Sequence, residues 1–161
     1  MNQPDLSGRV AIVTGSGRRN GRMIAKTLAA AGASVVINAR SNANEADAVV
    51  KEIQSAGGKA VACLADVSKE KDVERLVATA VEKFGSLDIL VNNAAIRAHE
   101  PFATISFERW REVSSIILDG AFLTAKYASP HLLRSTTKHI CGSSTNKFAK
   151  NGKVTNEHRS R

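Results

Sequence analysis

The sequence predicts an α/β domain organised around a doubly wound parallel sheet of four to five strands. Three observations lead there: short runs rich in Val and Ile, amphipathic stretches alternating with them, and a glycine-rich loop joining the first run to the first amphipathic stretch. The runs are RVAIVT (9–14), SVVINA (34–39), AVACLA (60–65) and LDILVN (87–92). Each is apolar nearly throughout, as strands covered on both faces require.

The first helix opens in the loop VTGSGRRNGRMIA, turns Ile24, Leu28 and Ala31 inward, and stops at Gly32. A second follows Asn42, with Val49, Val50 and Ile53 on its apolar face, and ends at Gly57 and Gly58. The third, over 69–84, is the clearest, because Val73, Leu76, Val77, Ala80, Val81 and Phe84 recur at steps of three and four. Ser68 is its expected N-cap, Glu70 and Asp72 suit its positive end, and Gly85 stops it. The β-α-β-α-β-α-β order implies right-handed crossovers and helices on both faces. A long helical stretch then runs from Ser106 to Leu133, with Gly120 and Pro130 as candidate breaks.

With 161 residues, 43% of them hydrophobic, the chain suffices for one buried core. No apolar run reaches the ~20 residues of a membrane span. The start, MNQPDLSGRVAIVTG, lacks a secretion pattern, so a cytoplasmic protein without membrane partners is expected. Neither Cys63 and Cys141 nor the four histidines show ligand spacing, and no metal is expected. A net charge of +8 raises nucleic-acid binding, yet seven basic residues and one acid lie between Arg134 and Arg161, leaving +2 before them. Only five of the 27 residues in 135–161 are hydrophobic. This segment is read as a basic polar tail, mostly disordered, with one candidate strand at 139–141, and residues 1–134 as the domain. Its single aromatic, Phe148, gives no stacking platform, which disfavours nucleic acid as a partner.

The dinucleotide fingerprint G-x-G-x-x-G fails by one position, since Asn20 stands where its last glycine belongs. Thr14 and Gly15, followed through Ser16, Arg18, Arg19 and Asn20 by Gly21, instead resemble the longer T-G-x-x-x-G-x-G loop of the short-chain dehydrogenase/reductase family. Asp66-Val67 after the third strand and NNAA (Asn92, Asn93, Ala94, Ala95) after the fourth appear in that family's order. The resemblance covers roughly 5–134, including FERWREV and DGAFLTAKYASPHLL, and is to members of the 3-oxoacyl-carrier-protein reductase type. It implies a Rossmann-like fold, a nicotinamide dinucleotide partner, and hydride transfer with a small carbonyl or alcohol substrate.

The resemblance also assigns roles. At the end of the second strand the family's acid position is Ala39, followed by Arg40; a cation there suits the 2′-phosphate of NADP(H) and favours it over NAD(H). Arg18 matches a second basic position of NADP-preferring relatives. Asp66 is assigned to the adenine amino group, with local helix capping as the rival role. Arg19 stands where a middle glycine lets the backbone approach phosphate, and its side chain either swings to solvent or obstructs the site. Helices near Phe122, Leu123 and Tyr127 would meet a second subunit or belong to the core, and a homo-oligomer is doubtful for a shortened chain.

The catalytic pattern breaks. The relay asparagine of W-x-x-V-x-x-V-N-L-x-G is Ile117 in WREVSSIILDG, and an aliphatic side chain relays no proton. HICGSS offers Ser143, or Ser144, for the substrate oxygen. The partner Tyr and Lys positions then hold Asn156 and Ser160, or Glu157 and Arg161, and no Y-x-x-x-K occurs anywhere. Tyr127, the only tyrosine, is expected to be a packing residue. Full-length relatives continue for about another 90 residues by the resemblance, so the expected sheet is incomplete and the chain reads as a C-terminally truncated reductase, weak or inactive. The alternative is a non-catalytic nucleotide-binding remnant or interaction protein.

Overall fold

Alternate residues of β1 (Val10–Val13) point to opposite faces of the sheet, and both faces are dry. Ala11 and Val13 join Val35, Ile37, Val49 and Ile53 in one core, while Val10 and Ile12 join Val36, Leu76, Leu90 and Leu132 in the other. The computed structural model describes residues 5–96, 100–134 and, for the backbone, 139–142. Around β1 the chain adds α1 (Arg19–Ala30), β2 (Ser34–Ala39), α2 (Ala43–Ser55), β3 (Lys59–Leu64), α3 (Glu70–Phe84) and β4 (Ile89–Asn92). There follow α4 (Phe107–Ser114), a π-helical turn (Ser115–Asp119), α5 (Gly120–Leu132) and β5 (His139–Gly142).

All strand pairs are parallel, in the order β3-β2-β1-β4-β5. The register sets Ile12 beside both Val36 and Leu90, a row of three buried side chains across the sheet centre. After β3 the chain crosses to the far side of β1, so the carboxyl ends of β1 and β4 diverge at a topological switch point, where open sheets of this kind hold ligands. At the opposite end, buried Asp88 accepts from the Val10 N–H (3.0 Å) and the Ser86 hydroxyl (3.0 Å), stitching the start of β4 to β1.

The predicted strands and helices recur with boundaries shifted by a residue or two. Asn42 caps α2, its side chain accepting from the Glu45 N–H (3.2 Å). Gly85 ends α3 at φ 84°, a conformation glycine takes without steric cost. The cap of α3 differs: Lys69 is the N-cap residue, and the Ser68 hydroxyl donates to Asp66 Oδ1 (2.7 Å). The short side chain found a nearer acceptor in the preceding turn.

The α-helical run is interrupted just before Gly120 by the π-helical turn Ser115–Asp119, as expected near that residue, whereas Pro130 does not break it. At Gly120 the reason for glycine is contact, since a Cβ there would lie 2.8 Å from Val67 Cγ2. Pro130 sits inside α5, and the Lys126 carbonyl its missing N–H would serve accepts from the Ser129 hydroxyl instead (2.9 Å). β5 pairs with β4 from Ile89 to Asn92. It overlaps the strand expected at 139–141 and lies past residue 134, so part of the segment read as a tail belongs to the sheet. The rest of that segment, 135–138 and 143–161, is outside the described residues.

Candidate functional site

The carboxyl ends of the first four strands open on a cleft of about 960 Å³. The β1–α1 turn supplies one wall through Gly15, Arg18, Arg19, Asn20 and Gly21. The end of β2 contributes Arg40, the β3–α3 loop Asp66 and Val67, and the segment after β4 Asn93, Ala94 and Ala95. Eleven of the fourteen residues expected to hold a dinucleotide therefore share one cavity.

The other three brace it from behind. Thr14 is 1% exposed; its hydroxyl donates to the Val91 carbonyl (3.3 Å) and accepts from the N–H groups of Asn93 and Ala94 (both 2.9 Å). The Ser16 hydroxyl donates to the Val13 carbonyl (2.7 Å) and accepts from the Asn38 N–H (2.9 Å). Asn92 Oδ1 accepts from the Thr124 hydroxyl of α5 (2.7 Å). The spacing of these residues was legible, but their part here is to fix the loops.

Turn geometry explains two of the glycines. Gly15 has φ 61°, and a Cβ on it would lie 3.0 Å from Ala94 Cα. A Cβ on Gly21 would come to 2.4 Å from the Gly15 carbonyl oxygen and 2.5 Å from Asn93 Nδ2. That amide donates to the Thr14 and Gly15 carbonyls (2.9 and 3.2 Å), so the NNAA segment clasps the turn. Arg19 takes a backbone form that glycine adopts more readily: its φ of 49° is the only positive value among described non-glycine residues. The residue is exposed and lines the cleft wall.

A left-handed non-glycine residue costs about 1–2 kcal/mol, and glycine gives back roughly 0.5–1 kcal/mol through unfolded-state freedom. Arg19→Gly is therefore expected to raise stability by about 0.5–1 kcal/mol, with Arg19→Ala near neutral because alanine keeps the strain. Urea unfolding midpoints at constant slope measure both; equal midpoints for the Gly and Ala variants would refute the strain.

Sequence reading missed Asn38. It is 1% exposed, its Nδ2 donates to the carbonyls of Ala65 (3.0 Å) and Cys63 (3.3 Å), and its Oδ1 accepts from the Gly15 N–H (3.1 Å). One side chain thus couples the glycine turn to the β3 exit. Its signal was present: a lone amide in the otherwise apolar VVINA. Arg109 and Glu112 of α4 also line the cleft, as does Glu45 of α2; their places depend on long-range packing that no local pattern encodes.

The residues present fit a dinucleotide. The N-terminus of α1, whose first amides lack helical partners, borders the cleft with no acid in its first turn. β2 ends at Ala39 and is followed by Arg40, so the strand itself places no carboxylate there. Val67, Ile96 and Ile116 give an apolar surface beside these charges. Asp66 Oδ1 accepts from the Ser68 N–H (3.0 Å) as well as its hydroxyl, which realises the local turn, and Asp66 lines the cleft too.

The proton-handling residues are another matter. Ile117 falls in the π-helical turn. Tyr127 donates to Glu70 Oε1 (2.9 Å) on the α3–α5 side and does not line the cleft. Its hydrogen bond to the Glu70 carboxylate raises the phenol above its ordinary pKa, the reverse of what a proton-transferring phenolate needs. Leu123 and Tyr127 pack inward on the core while Phe122 is 66% exposed, so the face drawn from the sequence is divided. Ser143 and Ser144, and the positions at 156–161, lie outside the described residues.

A profile of the short chain dehydrogenase family matches residues 9–156. Glucose 1-dehydrogenase 2 of Bacillus subtilis is 40% identical over 135 residues, 83% of this chain and 52% of that protein. The 3-oxoacyl-[acyl-carrier-protein] reductase of a Synechocystis species is 38% identical over 135 residues, 84% of this chain and 55% of that one. In structure the chain is similar to a hydroxysteroid dehydrogenase from Escherichia coli, with TM-score 0.80 and 36% identity over 85% of this chain and 57% of that one. The chain spans about half the length of the curated relatives it matches.

Proposed function

We propose, from the premise that the chain belongs to the short-chain dehydrogenase family, that it forms the nucleotide-binding half of an NADP-dependent oxidoreductase. The observation that carries this reading is the pair Arg18 and Arg40 at one cleft, where the end of β2 contributes a cation and no carboxylate of its own. Both guanidiniums would hold a 2′-phosphate. The Gly15–Gly21 turn and the first turn of α1 would hold the pyrophosphate. Asp66 and Val67 would take the adenine, and Asn93 to Ala95 the neighbouring ribose.

A dinucleotide held by these residues would supply or accept a hydride at a carbonyl or alcohol carbon. The chain's part would be to position it, with the apolar side chains of Val67, Ile96 and Ile116 lining the cleft beside it. A 3-oxoacyl thioester is the substrate class that the sequence resemblance favours. A cytoplasmic location belongs to the same proposal and rests on the sequence; among the described residues no helix is long and apolar enough to cross a membrane.

A second reading, nucleotide binding without chemistry, is favoured by Ile117 in the relay position and by Tyr127 held at Glu70. Titrating the purified chain with NADPH and NADH, then adding a 3-oxoacyl thioester, separates the two. Tighter NADPH binding with thioester-dependent loss of nicotinamide absorbance is expected of a reductase. Binding without turnover supports the second reading, and preference for NADH overturns the NADP assignment.

A further inference from the structure

The cleft carries four arginines, Arg18, Arg19, Arg40 and Arg109, but also three carboxylates, Glu45, Asp66 and Glu112. Two of those carboxylates face the arginines assigned to the 2′-phosphate. Glu45 Oε1 lies 3.9 Å from Arg18 Nη1, and Glu112 Oε1 lies 4.0 Å from Arg40 Nη1. Glu112 is the better fixed. Its other oxygen, Oε2, accepts from Arg109 Nη1 at 2.5 Å, one helical turn earlier in α4. Arg109 Nε in turn lies 3.7 Å from Glu100 Oε1. The row Arg40–Glu112–Arg109–Glu100 runs from the residue after β2, across α4, to the segment that precedes α4.

We infer that Glu112 is a specificity-determining residue that weakens discrimination between 2′-phosphorylated and 2′-hydroxyl dinucleotides. The inference rests on the assignment of Arg40 to the 2′-phosphate. A phosphate on Arg40 must displace the Glu112 carboxylate or sit beside it, and two anions sharing one guanidinium repel. A 2′-hydroxyl meets no such penalty, because it donates a hydrogen bond to a carboxylate. Arg109 keeps the carboxylate from swinging away. Glu112 and Arg40 are both about half exposed, so solvent and salt screen the effect and it stays modest.

Calorimetric titration with 2′,5′-ADP and with ADP tests this without any turnover. In Glu112→Gln the affinity ratio of 2′,5′-ADP to ADP is expected to rise roughly two- to five-fold at low salt. The rise should shrink as salt increases. Glu112→Ala should change the ratio in the same direction. Glu82→Gln, on the exposed side of α3, removes the same charge outside the cleft and should leave the ratio alone. A ratio in the Glu112 variants equal to that of Glu82→Gln, or lower, overturns the inference. Wild-type protein without a 2′-phosphate preference defeats the NADP reading instead. The Glu112 inference then holds only where Glu112→Gln uncovers such a preference, and fails where it does not.

Discussion

Replacing Gly21 with alanine is expected to destabilise the domain by about 2–4 kcal/mol and to abolish measurable dinucleotide binding. The sign is not obvious from the sequence, because Gly21 lies in the first turn of α1 and alanine is the better helix former by about 1 kcal/mol. Contact decides against it. The new Cβ would stand 2.4 Å from the Gly15 carbonyl oxygen and 2.8 Å from Ser16 Cα, both backbone atoms of a turn pinned by Asn38 and Asn93. The third neighbour, Asn93 Nδ2, would be pushed off the Thr14 and Gly15 carbonyls. Unserved buried acceptors cost roughly 1–3 kcal/mol each. Thermal or urea unfolding together with NADPH titration checks both parts. An alanine variant as stable as wild type would show that the turn yields without cost.

The same turn shows what the sequence could and could not convey. Strand positions were legible because a strand buried on both faces needs a short unbroken apolar run, and Val10–Val13 and Ser34–Ala39 meet that need locally. The glycine spacing was legible because a turn this tight needs small residues at Gly15 and Gly21. Ser68 misled: its preference for helix starts is local, while its actual acceptor, Asp66, depends on how the β3–α3 loop closes. Gly120 marked the change of helical form but not its own reason for being small, since Val67, which demands it, is far away in sequence. Pro130 reads as a helix breaker until Ser129 is seen to serve the Lys126 carbonyl. The acids of the cleft, Glu45 and Glu112, look like solvated helix faces in sequence, and only the fold brings them beside Arg18 and Arg40.

Asn38 gives the second large effect, because its value lies in donor and acceptor together. The Oδ1 satisfies the Gly15 N–H, and the Nδ2 serves carbonyls on the β3 side, at a position 1% exposed. Asn38→Ala removes these bonds and leaves a small cavity, for an expected loss of about 3–5 kcal/mol. Asn38→Asp is the sharper test. It keeps the volume and the acceptor for Gly15, but turns a carboxylate oxygen toward the carbonyls of Cys63 and Ala65, with no proton to give. If packing held the site together, Asp would be tolerated. Because hydrogen bonding does, Asp should be about as damaging as Ala at neutral pH, and should recover as pH falls and the buried carboxyl takes up the proton it needs to donate. In linkage terms, burial between carbonyls raises this carboxyl's pKa in the folded state above its unfolded value. Folding then takes up a proton, so stability increases on acidification through the raised folded pKa and levels off below the unfolded value. Urea midpoints for both variants across that range measure it. An Asp variant matching wild type at neutral pH, or one that weakens between those two pKa values as pH falls, would move the coupling of the glycine turn to β3 onto some other residue.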